Sequence, residues 1–154
     1  MLSCLKQAFI TACAAFFLTT NPSFASPLNK MEKAVHMATI TNDAESLKDL
    51  IGMKANIRVA GKYGLTPLHA GSLRGTYDTV YILLGMEIDP NPRDKGGNTP
   101  LHLAAYNGHT KIASLLLEKG ANKDLHNDAG KLAVDLAKEG KHSDIVELLT
   151  NKKK

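Results

Sequence analysis

Residues 97–120 read GNTPLHLAAYNGHTKIASLLLEKG, and the tetrapeptide TPLH within them, Thr99 to His102, occurs once before as Thr66 to His69, 33 residues earlier. A motif returning at such an interval points first to an architecture of stacked units. Within the stretch, Leu101, Ala104 and Ala105 share one helical face and Ile112, Leu115 and Leu116 another, so the spacing predicts two short helices. Thr99 is placed to cap the first with its hydroxyl accepting from an orphan helix N–H, and Pro100 suits the first helical position. Gly120 suits the left-handed turn that closes the second helix. Helices of about ten residues are marginal alone, so each pair must bury its apolar side against the next pair.

The same interval runs through most of the chain. Leu50, Leu83, Leu116 and Leu149 fall in one column of a 33-residue ruler, as do Val35, Leu68, Leu101 and Val134, and Ala38, Gly71, Ala104 and Ala137; glycines 64, 97 and 130 form another. Four copies follow, at about residues 30–61, 64–93, 97–126 and 130–154.

Over nearly every position, GNTPLHLAAYNGHTKIASLLLEKGANKD (97–124) resembles an ankyrin repeat, and GLTPLHAGSLRGTYDTVYILLGMEIDPN (64–91) is similar but looser. KAVHMATITNDAESLKDLIGMKANI (33–57) and KLAVDLAKEGKHSDIVELL (131–149) resemble the degenerate terminal repeats of that family. The resemblance implies an all-α solenoid of helix pairs joined by β-hairpin loops. It also implies that Thr66, His69, Thr99 and His102 are structural, the histidines bonding to the threonines and to loop backbone as pins between repeats. The chain departs from the pattern at Lys33 and Ala34, at Leu132, Ala133 and Asp135, at Gly71 in place of a helix alanine, and at Glu87 in place of a turn glycine. Repeat two, further stiffened by Pro90 and Pro92, is expected to be the least regular.

Residues 1–25 read differently: Lys6, the apolar run AFITACAAFFL, then TTNPSFAS. That layout is expected of a secretory signal peptide cut after Ala25, with Ser23 and Ala25 as the small residues before the cut and 26–29 as a short linker. The apolar run falls short of the roughly 20 residues that span a bilayer, so no stable membrane insertion is expected after cleavage. Both cysteines, Cys4 and Cys13, and all four phenylalanines lie in this leader. Processing then removes every thiol, and with it disulfides and zinc-thiolate sites. An aliphatic core must result, with Tyr63, Tyr77, Tyr81 and Tyr106 the only aromatics of the processed chain. The formal charge of +4 is mild and its acids are interspersed with its bases, so no nucleic-acid stripe is implied.

Six histidines make metal or acid–base chemistry worth weighing. His36, His69 and His102 form a ladder, but packed helices lie about 8–10 Å apart, so successive rungs cannot share one zinc. His109 and His142 share a column at the start of the second helix, and His126 sits in a loop. Neither HExxH, GxSxG nor a phosphate-cradling glycine loop is present. The reading is of a non-enzyme without cofactor or metal.

What remains is a binding surface, formed in such a stack by loop tips and first helices. On the ruler it takes Lys62, Tyr63, Leu65, Leu73 and Arg74, then Lys95, Asn98, Tyr106 and Asn107, then Asp128, Lys131 and Glu139. Tyr63 and Tyr106 are the natural anchors, because tyrosine offers large contact area with a polar end. Tyr77 and Tyr81, four apart on a second helix, are expected as a local pair on the outer surface. The expectation is an exported, monomeric module, periplasmic or secreted, that binds an unidentified protein partner and no nucleic acid. An accessory metal protein or enzyme of the same compartment, and an effector delivered into a host cell, stay open as alternatives.

Overall fold

The computed structural model describes residues 27–151; the leader read at 1–25 lies outside them. Among the described residues eight α-helices form four hairpins: α1 (Pro27–Ile40) with α2 (Ala44–Gly52), α3 (Pro67–Arg74) with α4 (Tyr77–Gly85), α5 (Pro100–Asn107) with α6 (Thr110–Glu118), and α7 (Ala133–Glu139) with α8 (Ser143–Thr150). A short 3-10 turn, Lys62–Gly64, precedes α3. First helices pack in series, α1 on α3 on α5 on α7, and second helices form a parallel row, α2 on α4 on α6 on α8. This is the expected stack. Among the described residues no helix is long and apolar enough to cross a membrane.

The start of each first helix follows from local chemistry. Thr66 and Thr99 are extended, with ψ 166° in both, because the residue before proline is kept out of the helical region. The first copy has Lys33–Ala34 instead, and nothing stops the helix there, so α1 runs back to Pro27. Residues 27–29, read as linker, are therefore the first turn of α1.

The buried interior is aliphatic, as the composition demanded, with Val35, Leu68, Leu83, Leu101, Ile112, Leu116 and Ile145 among its members, and all four tyrosines are exposed. The column of small residues, Ala38, Gly71, Ala104 and Ala137, lies where helices approach closely, and all four are buried. Gly71 is more than a weakened alanine: a Cβ there would stand 2.5 Å from Val80 Cγ2. In repeat three the same two columns hold Ala104 and Ala113, so repeat two has moved a side chain's volume from one helix to its partner. Glu87 takes up φ 52° where Gly120 has φ 89°, a left-handed backbone that glycine adopts without steric cost. The irregularity expected of repeat two is present at both positions.

The loops differ from the expected β-hairpins. Each tip is a turn, closed by Gly64 N–H to Gly61 O, Gly97 N–H to Asp94 O and Gly130 N–H to Asn127 O, with one further bond from Gly61, Asp94 and Asn127 N–H to the carbonyls of Leu65, Asn98 and Lys131. No strand is formed among the described residues. The reason lies in side chains that compete with the ladder. The N–H of Asn98 donates to Asp94 Oδ1 (2.8 Å) and that of Lys131 to Asn127 Oδ1 (2.9 Å), so the reciprocal main-chain bond is replaced in both loops.

Candidate partner-binding face

The face is built on imidazoles. His69 and His102 are essentially fully buried, and a buried ring must satisfy both nitrogens. Nδ1 of His69 accepts from the N–H of Thr66 (3.2 Å) and lies 2.9 Å from its hydroxyl; Nδ1 of His102 does the same with Thr99 at 3.2 and 2.8 Å. An N–H can only donate, so Nδ1 is bare and Nε2 carries the proton. That proton is given to the next loop: Nε2 of His69 donates to Asn98 O (3.0 Å) and Nε2 of His102 to Lys131 O (3.1 Å). With Nδ1 bare, the threonine hydroxyl donates to it. The hydroxyl expected of Thr99 as a helix cap is thus a donor to the ring as well, and each threonine–histidine pair closes a capping box at its helix start, with His69 N–H donating to the Thr66 hydroxyl at 3.4 Å. Burial pushes both histidines below their ordinary range, outweighing the carbonyl bonds that favour the charged form. Each ring is therefore neutral and ties its repeat to the next loop. His36 makes a related bond, Nε2 to Val59 O at 3.2 Å.

A second set of imidazoles points the other way along the stack and was not legible as such. His109 Nε2 donates back to Leu73 O (3.2 Å), and His142 Nε2 to Tyr106 O (3.1 Å). These carbonyls belong to the last turn of α3 and α5, where no intrahelical N–H remains to meet them. Each ring lies against a glycine: a Cβ on Gly75 would stand 2.6 Å from His109 Cε1, and one on Gly108 2.6 Å from His142 Cε1. His109 and His142 do stand at the starts of α6 and α8, where their column put them, and both are half-buried by these contacts. The signal available in the sequence was the pairing of a histidine column with a glycine column one repeat earlier.

With first helices pinned, the loop tips form a continuous row. Lys95 N–H donates to Tyr63 O (2.9 Å) and Asp128 N–H to Gly96 O (3.0 Å). Along this row and the ends of the inner helices, Tyr63, Leu73, Arg74, Lys95 and Tyr106 are exposed, and Leu65 and Asn107 are half-buried. The side chain of Lys62 lies outside the described ones. Several of the other positions are already engaged within the protein. The carboxylate of Asp94 holds Asn98 by its side-chain amide (both contacts 3.2 Å), and the amide oxygen of Asn98 accepts from Asn127 Nδ2 (2.8 Å), which makes Asn98 a node of the loop. Asn107 Nδ2 donates to Leu103 O (2.8 Å). Asp128 pairs with Arg93 at 3.1 Å and Lys131 with Glu139 at 2.6 Å. On the opposite side, Tyr77 and Tyr81 stack with ring centroids 6.3 Å apart, the local pair expected of them.

Among the described residues no three histidine, cysteine, aspartate or glutamate side chains are grouped so as to hold a metal ion. The last copy of the ladder has Asp135, whose Oδ2 accepts from Leu132 N–H at 3.1 Å and caps its own helix.

The family model for ankyrin repeats, three copies, matches residues 73–154, from the end of α3 through α8. No curated protein matches the chain. Ankyrin repeats are as a class protein–protein interaction modules and typically non-catalytic scaffolds. With a 33-residue step, four stacked helix pairs and threonine–histidine pins between them, the chain belongs to the ankyrin repeat family.

Proposed function

We propose that this chain is an exported, non-enzymatic module that binds a partner protein through its loop tips and inner-helix ends, acting as a monomer and without cofactor. The observation that carries the reading is the row of exposed Tyr63, Leu73, Arg74, Lys95 and Tyr106 set on backbone that is bonded from repeat to repeat. A surface fixed in this way loses little conformational freedom on binding. Tyrosine and arginine are the residue types that dominate interface energetics. Export is supported by the leader pattern around Lys6 and its apolar run.

The test is capture of partners by the full chain and by a variant with Tyr63, Arg74 and Tyr106 all changed to alanine. The variant is expected to lose the captured partner while its thermal unfolding stays nearly unchanged; a partner still held by it would overturn the assignment of the face. The mass of the protein recovered from the producing cell tests export, with Ser26 expected as the first residue.

A further inference from the structure

We propose that the partner meets this face with an acidic segment that carries apolar side chains at helical spacing. The inference rests on the reading of the face given above and adds the chemistry of what it holds. Repeats two and three contribute two exposed cations, Arg74 on the inner-helix end and Lys95 on the loop tip, and at the loop-tip position before Lys95 in register stands Lys62. At the same register positions these repeats place no carboxylate. Asp94, next to Lys95 in the chain, is turned into its own loop, where it accepts from Gly96 N–H (2.8 Å) as well as from Asn98. In repeat four the register does bring carboxylates, Asp128 and Glu139, but Arg93 and Lys131 already neutralise them. The centre of the face is therefore positive and its far end close to neutral.

The apolar part of the same centre is Leu73 and Tyr106, 38% and 53% exposed. They occupy one column of the ruler on adjacent, packed inner helices, α3 and α5, so they are neighbours across the stack. Arg74 follows Leu73 directly. A ligand that satisfies this centre needs apolar groups for the column and carboxylates for the cations beside it, which is what one face of an acidic amphipathic helix offers. Duplex DNA fits less well. It presents one charge per about 1.7 Å and no apolar side chain to the column, whereas the cations here are few and one of them, Arg74, directly follows the apolar Leu73.

The test titrates the full chain against four labelled probes: a helical peptide of glutamate with leucine at every third or fourth place, the same peptide with lysine for glutamate, the acidic peptide with serine for leucine, and duplex DNA. The glutamate–leucine peptide is expected to bind most tightly and to weaken as salt is raised. Arg74→Glu with Lys95→Glu should lower its affinity about tenfold and shift preference toward the lysine peptide; Leu73→Ser with Tyr106→Ser should remove the advantage of leucine over serine. Circular dichroism of each variant checks that the stack is intact. Preference for the lysine peptide or for DNA, or no peptide binding at all, overturns the proposal. If that happens while the Tyr63, Arg74 and Tyr106 triple variant still loses its captured partner, only the charge assignment fails. If the triple variant keeps its partner and the charge reversal has no effect, the face itself is misplaced.

Discussion

His69 and Asn98 stand 29 residues apart in the chain and meet across the junction of repeats two and three, the ring Nε2–H donating to the main-chain oxygen of Asn98 over 3.0 Å. The bond requires the proton on Nε2, and the Thr66 N–H on the other nitrogen leaves no room for a second one.

Stability should accordingly depend on pH below neutrality. Burial lowers the folded-state pKa of His69 and His102 from the ordinary 6.5, so the unfolded chain binds protons more readily than the folded one. Their contribution is fully present above about pH 6.5 and is lost as pH falls from there through the folded values. Urea unfolding across mildly acidic pH should show midpoints falling with pH, with a slope of at most about 1.4 kcal/mol per pH unit for each histidine. Imidazole nitrogen shifts that report Nδ1–H in the folded protein would contradict the bonding scheme.

Gly71 and Val80 should behave as a coupled pair. Gly71→Ala alone places a methyl against Val80 Cγ2 and is expected to destabilise by about 1–3 kcal/mol through overpacking, despite the better helix propensity of alanine. Adding Val80→Ala recreates the Ala104 and Ala113 arrangement of repeat three and should return part of that loss. A double-mutant cycle in denaturant checks it, and strict additivity would show that the two sites do not touch.

At Gly108 two penalties should separate. Gly108→Ala meets both a left-handed backbone, φ 79°, and the ring of His142. A loss of about 2 kcal/mol or more is expected. In a His142→Ala background the same change should cost less, because the ring is gone, yet remain unfavourable, because the backbone angle is not. Equal losses in both backgrounds would mean that the ring moves aside freely.

Repeat one should open before the others. At the position of His109 and His142 the second repeat has Thr76, whose hydroxyl bonds to Gly71 O (3.5 Å) inside its own repeat. The junction with repeat one relies instead on Asn42 with Asp78 (2.9 Å), which is exposed, and Thr79 with Thr39 O (3.3 Å). Ser72, buried in α3, has no partner for its hydroxyl among the described residues, and a buried unmet hydroxyl lowers stability. Native-state hydrogen exchange should find α2 protected less than α6. Equal protection would refute the ranking.

Most of the architecture was readable because a stack repeats its constraints. TPLH, the small-residue column and the leucine column each state one packing rule several times, so a single degenerate copy does not hide it. The forward pins at His69 and His102 were legible only through the resemblance, which implied them. The backward ties were not, because His109 and His142 act on carbonyls 36 residues earlier and lie against Gly75 and Gly108 of the preceding repeat, a relation that no local pattern contains. Loop geometry escaped too: whether Asp94 and Asn127 would bond to backbone and break a ladder depends on side-chain rotamers. At the proposed face, the ruler named loop-tip and inner-helix positions but could not tell Arg74, which is exposed, from Asn98, which the loop consumes.

The bonds from Lys95 N–H to Tyr63 O and from Asp128 N–H to Gly96 O are made by main-chain atoms that every residue except proline possesses. These two ties between tips thus do not use the side chains of Tyr63 and Lys95, whereas Asp94, Asn98 and Asn127 shape the loops with theirs. Replacing the side chain of Lys95 would therefore change what this edge offers to solvent while leaving the bond that spaces the two tips in place.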